Sequence, residues 1–126
     1  MFKAVESGGA TVKIQCGGSE GYIGTQTNHK ISFVTNVDGG SNGGRKWEIS
    51  GAGHFIPYAN DTYDIGSSSY RVRNIYTNDL HLSNEGSSND VDGSWGDWTI
   101  QEGESDLFLK NNRSGKKYKF NLTEVS

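Results

Sequence analysis

The sequence predicts an all-β fold of short strands, on three observations. Apolar and polar residues alternate in short runs, the period of half-buried strands. Glycine and Asn/Asp clusters break these runs at intervals of roughly 8–12 residues, the spacing of all-β architectures. No heptad run is present, so no coiled coil is expected.

Composition sets the scale of the core. The chain has 126 residues, enough for one ordinary domain or two very small ones. Apolar content is 32%, with 18 glycines and one proline, so a lone chain has material for only a thin core. A net charge of −3 and 11% aromatic residues argue for order rather than disorder. Burying apolar faces against other copies of the chain is one way to complete such a core.

The elements follow in order. Residues 1–50 read as an N-terminal β region. In it residues 1–9 form a tether, and Ala10 to Cys16 is a strand with Val12, Ile14 and Cys16 on one face. Gly21–Gly24 and Lys30–Asn36 are two further strands around a polar turn, the second rich in β-branched and aromatic residues. Asp38 to Gly44 (DGGSNGG) is a loop, and Trp47 to Ser50 another short strand. Residues 51–82 hold Pro57 and the densest group of large apolar residues. Asn60-Asp61 marks a turn. Tyr70–Tyr76 (YRVRNIY) places Val72, Ile75 and Tyr76 at i, i+3 and i+4, predicting a short helix capped by a preceding serine. Leu80 and Leu82 flank His81 as in a strand. Residues 83–94 (SNEGSSNDVDGS) read as a polar linker. Residues 95–126 read as a three-stranded antiparallel meander: Trp95–Glu102, Leu107–Asn111 and Lys116–Val125, with a hairpin at Asn112–Gly115.

The stretch from Pro57 through NDTYDIGSSSYRVRNIYTNDLHLS resembles a segment of bacteriophage tail-fibre and virion fibre proteins, of the form P-x-x-D-x-T-Y-D-L-G-S-S-S-x-R-W-x-x-I-Y. Asn60 to Ser69, Arg71, Arg73, Ile75 and Tyr76 carry the likeness; Val72 departs from it, standing where that family has a bulky aromatic. GYIGTQTNHKISFVTN, followed by RKWEISGAG, is similar to a module of phage fibre shafts. The ending from Trp95 to Val125 looks like a terminal module of marine tailed-phage structural proteins. The first two resemblances span residues 21–82. They imply a glycine-rich trimeric fibre: a homotrimer with a short helix in the middle and the C-terminal meander at one end.

On that resemblance, the expected trimer interface is Ile31, Phe33, Tyr63, Ile65, Arg71, Arg73, Ile75, Tyr76, Leu80 and Leu82. Arg71 and Arg73 are expected to pair with Asp61 or Asp64 across subunits and so fix register. Trp95 and Trp98 are expected either to pack beneath the meander or to form a ligand-contact or docking patch, since exposed aromatics stack on sugar rings and anchor interfaces.

Other residue groups carry weaker chemistry. Cys16 is the one cysteine, so no intrachain disulfide forms, and Cys-Gly-Gly matches no nucleophile signature. His29, His54 and His81 lie far apart without an H-x-H pattern, so no metal or cofactor is expected. Asp90, Asp92, Asp97, Glu102, Glu104 and Asp106 crowd the last third but read as solvated turns, not as a glycosidase pair or a calcium loop. Arg113, Lys116, Lys117 and Lys119 read as a solvated hairpin. The acidic balance argues against nucleic-acid binding, and no segment is apolar enough for membrane insertion. The N-terminal residues hold no apolar signal-peptide core.

The expected function is therefore non-enzymatic: a structural protein of a tailed-phage virion, made in the bacterial cytoplasm. It would act in host attachment as a fibre or spike, with virion proteins of tail or capsid and a host-surface glycan as partners. The alternatives are a capsid decoration protein or head fibre and, at more distance, a polysaccharide-degrading tailspike.

Overall fold

A computed structural model of the chain describes residues 1–36 and 44–125. They form an all-β structure of ten strands in three separate antiparallel sheets, without a helix. The chain divides into two compact units, Met1–Arg71 and Val72–Ser126.

The first unit holds two sheets. In one, β1 (Phe2–Val5), β2 (Thr11–Gly17) and β3 (Glu20–Thr25) run in order as a meander. The strand expected at Ala10–Cys16 forms one residue further on, as β2. β1 was not expected: it occupies residues read as a tether, and it pairs with β2 from Phe2↔Ile14 to Val5↔Thr11. In the other sheet, β4 (Ile31–Val34), β5 (Arg45–Ile49) and β6 (Phe55–Pro57) pair in chain order, with a register irregularity between Phe33 and Val34. β4 and β5 flank the expected Asp38–Gly44 loop, of which residues 38–43 lie outside the described residues. Pro57 sits on an edge strand, where its missing N–H leaves no gap in the ladder.

The second unit is one four-stranded sheet in the order β10-β9-β8-β7, with β7 Leu80–Ser83, β8 Asp97–Glu102, β9 Leu107–Asn111 and β10 Lys117–Lys119. The expected three-stranded meander is thus four-stranded, and residues 83–94 are not a linker between modules. Ser83 ends β7, and residues 84–94 belong to the connection between two strands that pair directly, from Leu80↔Ile100 to Ser83↔Asp97. Gly115 takes φ 73° in the β9–β10 hairpin, and Gly115 N–H donates to Asn111 O.

The predicted helix at Tyr70–Tyr76 does not form. The Tyr70 N–H does donate to Ser67 Oγ at 3.0 Å. However, the Ser67 N–H donates back to Tyr70 O at 2.7 Å, which closes a turn in place of opening a helix. Seven residues are too few to sustain a helix without packing, and Val72, Ile75 and Tyr76 are all exposed, Tyr76 at 92%.

No hydrophobic side chain among the described residues is buried; the two buried residues are Thr11 and Thr99. Each sheet instead has one apolar face left largely open. Pairing lines up Phe2, Ile14 and Ile23 in the first sheet. It lines up Ile31, Ile49 and Phe55, with Phe33, Trp47 and Pro57 beside them, in the second. In the third it lines up Leu80, Ile100, Leu109 and Tyr118. Stable domains stack at least two layers around a core; here each sheet is one layer. The chain exposes 10710 Å². A compact monomer of 13.7 kDa would expose about 6,600 Å², and two separate globules the size of the two units about 7,900 Å².

Candidate functional site

Two features stand out: the open apolar faces, and a polar cleft in the second unit.

On the second sheet, alternation places Ile31 and Phe33 on the same face as Trp47, Ile49, Phe55 and Pro57. The Trp47 and Phe55 rings stack at 4.7 Å with 6° between planes, and Phe33 meets Phe55 edge-on at 6.1 Å. Tyr63 closes one side: its ring is 6.4 Å from Trp47 and its hydroxyl donates to Arg45 O at 3.3 Å. Of the expected interface residues, Ile31, Phe33 and Tyr63 therefore form one cluster, and Leu80 and Leu82 belong to the third sheet's apolar face. Ile65, Arg71, Arg73, Ile75 and Tyr76 lie exposed along an irregular segment, not gathered on any sheet. The ion pairs seen among the described residues, Lys30–Glu48 and Lys119–Asp106, do not include Arg71 or Arg73. Phe55 and Trp47 were not expected in the cluster; their signal was the alternation in Arg45–Ile49 and the apolar Phe55-Ile56-Pro57 run.

The opposite face of this sheet is charged. Lys30 pairs with Glu48 at 2.6 Å, and Lys30 and Arg45 approach the Tyr58 ring at 5.9 and 5.2 Å. One face is thus built for water and the other is not.

The cleft, of about 570 Å³, is lined by Asn89, Asp92, Ser94, Trp95, Gly96, Trp98, Asn111, Arg113 and Ser114. It brings Trp95 and Trp98 together, but not by stacking on each other. Trp98 is in β8 and its ring lies 5.8 Å from Tyr118 on the sheet's apolar face. Trp95 precedes the strand, and the Arg113 guanidinium sits 3.8 Å from the centre of its ring while Arg113 Nη1 donates to Trp95 O at 2.7 Å. This cation–π stack was invisible in the sequence, because 18 residues separate the partners.

Asn89 organises the loop above. Its side-chain oxygen accepts from the Val91 and Asp92 N–H groups, and its amide donates to Asp92 Oδ1 and Ser94 O. Asp92 also accepts from the Ser94 hydroxyl at 2.7 Å and the Ser94 N–H at 2.9 Å. These bonds, the Ser94 hydroxyl first, then the Ser94 amide, then Asn89, hold the Asp92 carboxyl down at about 2, against an ordinary 3.8. Much of the loop's polar capacity is spent on its own shape. The cleft's lining sets two indoles beside a guanidinium, with the Trp95 ring already stacked on it.

The remaining candidates are dispersed. Asp97 accepts from Asn112, and Asp106 pairs with Lys119, so these carboxylates serve separate partners. His29 Nδ1 lies 2.8 Å from Thr27 Oγ1, and His81 Nδ1 3.1 Å from Thr99 Oγ1. Among the described residues, no three His, Cys, Asp or Glu side chains group to hold a metal. Nor does any helix there have the length and apolarity to cross a membrane.

No family model, curated protein or solved structure matches the chain.

Proposed function

We propose that the chain is a structural protein of a tailed-phage virion, a small homotrimeric fibre or spike that acts in attachment to the host surface. The observation that carries the self-assembly is that all three sheets are single layers with an open apolar face. Such faces are completed most economically by symmetric copies of the same chain. Attachment to a virion rests on the likeness of residues 57–82 and 21–51 to phage fibre segments. The cleft at Trp95 and Arg113 is the proposed contact for host-surface glycan. Three weak contacts on one particle would sum to useful avidity.

The test is the mass of the purified chain by light scattering behind a sizing column. A mass near three chains is expected; a stable monomer overturns the reading. Immunogold labelling of particles from a phage that encodes the chain then places it. Label at the tail supports attachment, and label spread over the shell replaces it with the decoration of a capsid.

A further inference from the structure

We propose that the first sheet, β1–β3, packs its Phe2–Ile14–Ile23 face against a second copy of this chain. This extends the assembly surface to β1 and β2, which the fibre resemblance leaves out, and it rests on the self-assembling reading above.

Three observations carry it. Alternation puts Phe2, Ala4, Val12, Ile14, Cys16 and Ile23 on one side of this sheet, with Gly21 and Thr25 beside them, and none of these is charged. The side facing away carries Lys3, Lys13 and Glu20 among Val5, Thr11, Gln15 and Tyr22. The exposure is the reverse of a free-standing sheet. Along β2 the apolar Val12, Ile14 and Cys16 are exposed while Lys13 and Gln15 are half-buried. Ile23 is 74% exposed and Phe2 63%. A soluble monomer rarely leaves so contiguous an apolar patch in water.

The occupant follows from area and charge. The chain's 10710 Å² exceeds the two-globule reference by about 2,800 Å². A standard interface buries about 800 Å² per partner, so one patch does not absorb the excess and several faces must be covered. A face without charge meets its own copy without opposing like charges, a repulsion that would otherwise exclude self-pairing.

Cys16 is the natural reporter, because it is exposed in the single chain and lies on this face. The experiment uses the purified full chain alone, so that only copies of itself are available as cover. The rate of maleimide labelling at Cys16 is compared in native buffer and in urea, beside the solution mass. A native rate at least tenfold slower, in a protein of oligomeric mass, is expected. In Ile14→Asp and, separately, Ile23→Asp, the native rate should rise to the unfolded one. A cysteine moved to the charged side, Lys3→Cys in a Cys16→Ser background, should label freely. Free labelling of Cys16 within an intact oligomer overturns this interface and leaves the oligomer standing. A monomer overturns both, whether Cys16 labels freely or is shielded by its own chain. Equal shielding of Lys3→Cys also overturns the assignment, since the cover would then not be specific to the face.

Discussion

The first sheet and the last are built from the same period-two pattern, yet they hold together differently. β1–β3 has a ladder of backbone bonds and little side-chain bonding between its strands. In β7–β10 the polar face is cross-linked. Thr99, 3% exposed, takes a bond from Asn112 Nδ2 at 2.9 Å and meets His81 Nδ1 at 3.1 Å. Asn112 also reaches Asp97, and Gln101 reaches Asp79. The last sheet thus has a way to be ordered within one chain that the first lacks. A network of this kind specifies strand register where a hydrophobic core is missing. The first sheet leaves its apolar face uncovered in the single chain.

The largest expected effect tests whether the open faces are covered in solution. Phe55 is 54% exposed in the single chain. Left in water, its loss in Phe55→Ala should cost little beyond the Trp47 stack, about 1 kcal/mol; covered by another copy, it should cost roughly 3–5 kcal/mol. We expect the larger value by urea unfolding, with a midpoint that rises with protein concentration. Next comes Thr99→Val, which removes the buried hydroxyl that Asn112 donates to and His81 meets, and should cost about 1–1.5 kcal/mol. The contrast sharpens if Thr11→Val, at the other buried threonine, costs clearly less in the same assay. Thr11 meets Thr27 through its backbone N–H, a bond that survives the substitution. Gly115→Ala forces a β-carbon at φ 73° and should cost about 1 kcal/mol, seen as lost amide-exchange protection confined to the β9–β10 hairpin.

The smallest effect is one of pH. The Asp92 carboxyl is held at about 2 in the folded loop against about 3.8 to 3.9 unfolded. Its contribution to loop order is complete above the unfolded value and is lost as pH falls through the folded one. The Ser94 amide should therefore shift by NMR in a step centred near pH 2, and Asp92→Asn should flatten that step. A Ser94 amide that titrates near pH 4 instead would mean the loop bonds do not form in solution.

Strands were legible where alternation and local breakers agreed, as in Thr11–Gly17 between two glycine pairs and Leu107–Asn111 between two turns. They were not legible where the evidence was a distant partner. Phe2–Val5 is only four residues and reads as a tether until β2 is placed beside it. Leu80–Ser83 was recognisable as a strand, but nothing in the sequence says it joins β8 across thirteen polar-rich residues. The Tyr70–Tyr76 helix failed for the opposite reason: the serine before it closes a local turn with Tyr70 in place of capping a helix, and the apolar stripe has no surface to pack on. At the cleft, Trp95 and Trp98 were visible as a pair of aromatics, while Arg113 was hidden by chain distance.

Pro57 sits on an edge strand and has a consequence for growth. Tyr58 N–H points inward, donating to Lys46 O at 2.9 Å. Since successive amides on a strand alternate sides, the Pro57 nitrogen faces outward, where an added strand would seek a donor and finds none. Edge-to-edge polymerisation through β6 is therefore blocked at its last residue. A strand added at this edge would lose one ladder bond there, while the sheet's aromatic face stays open.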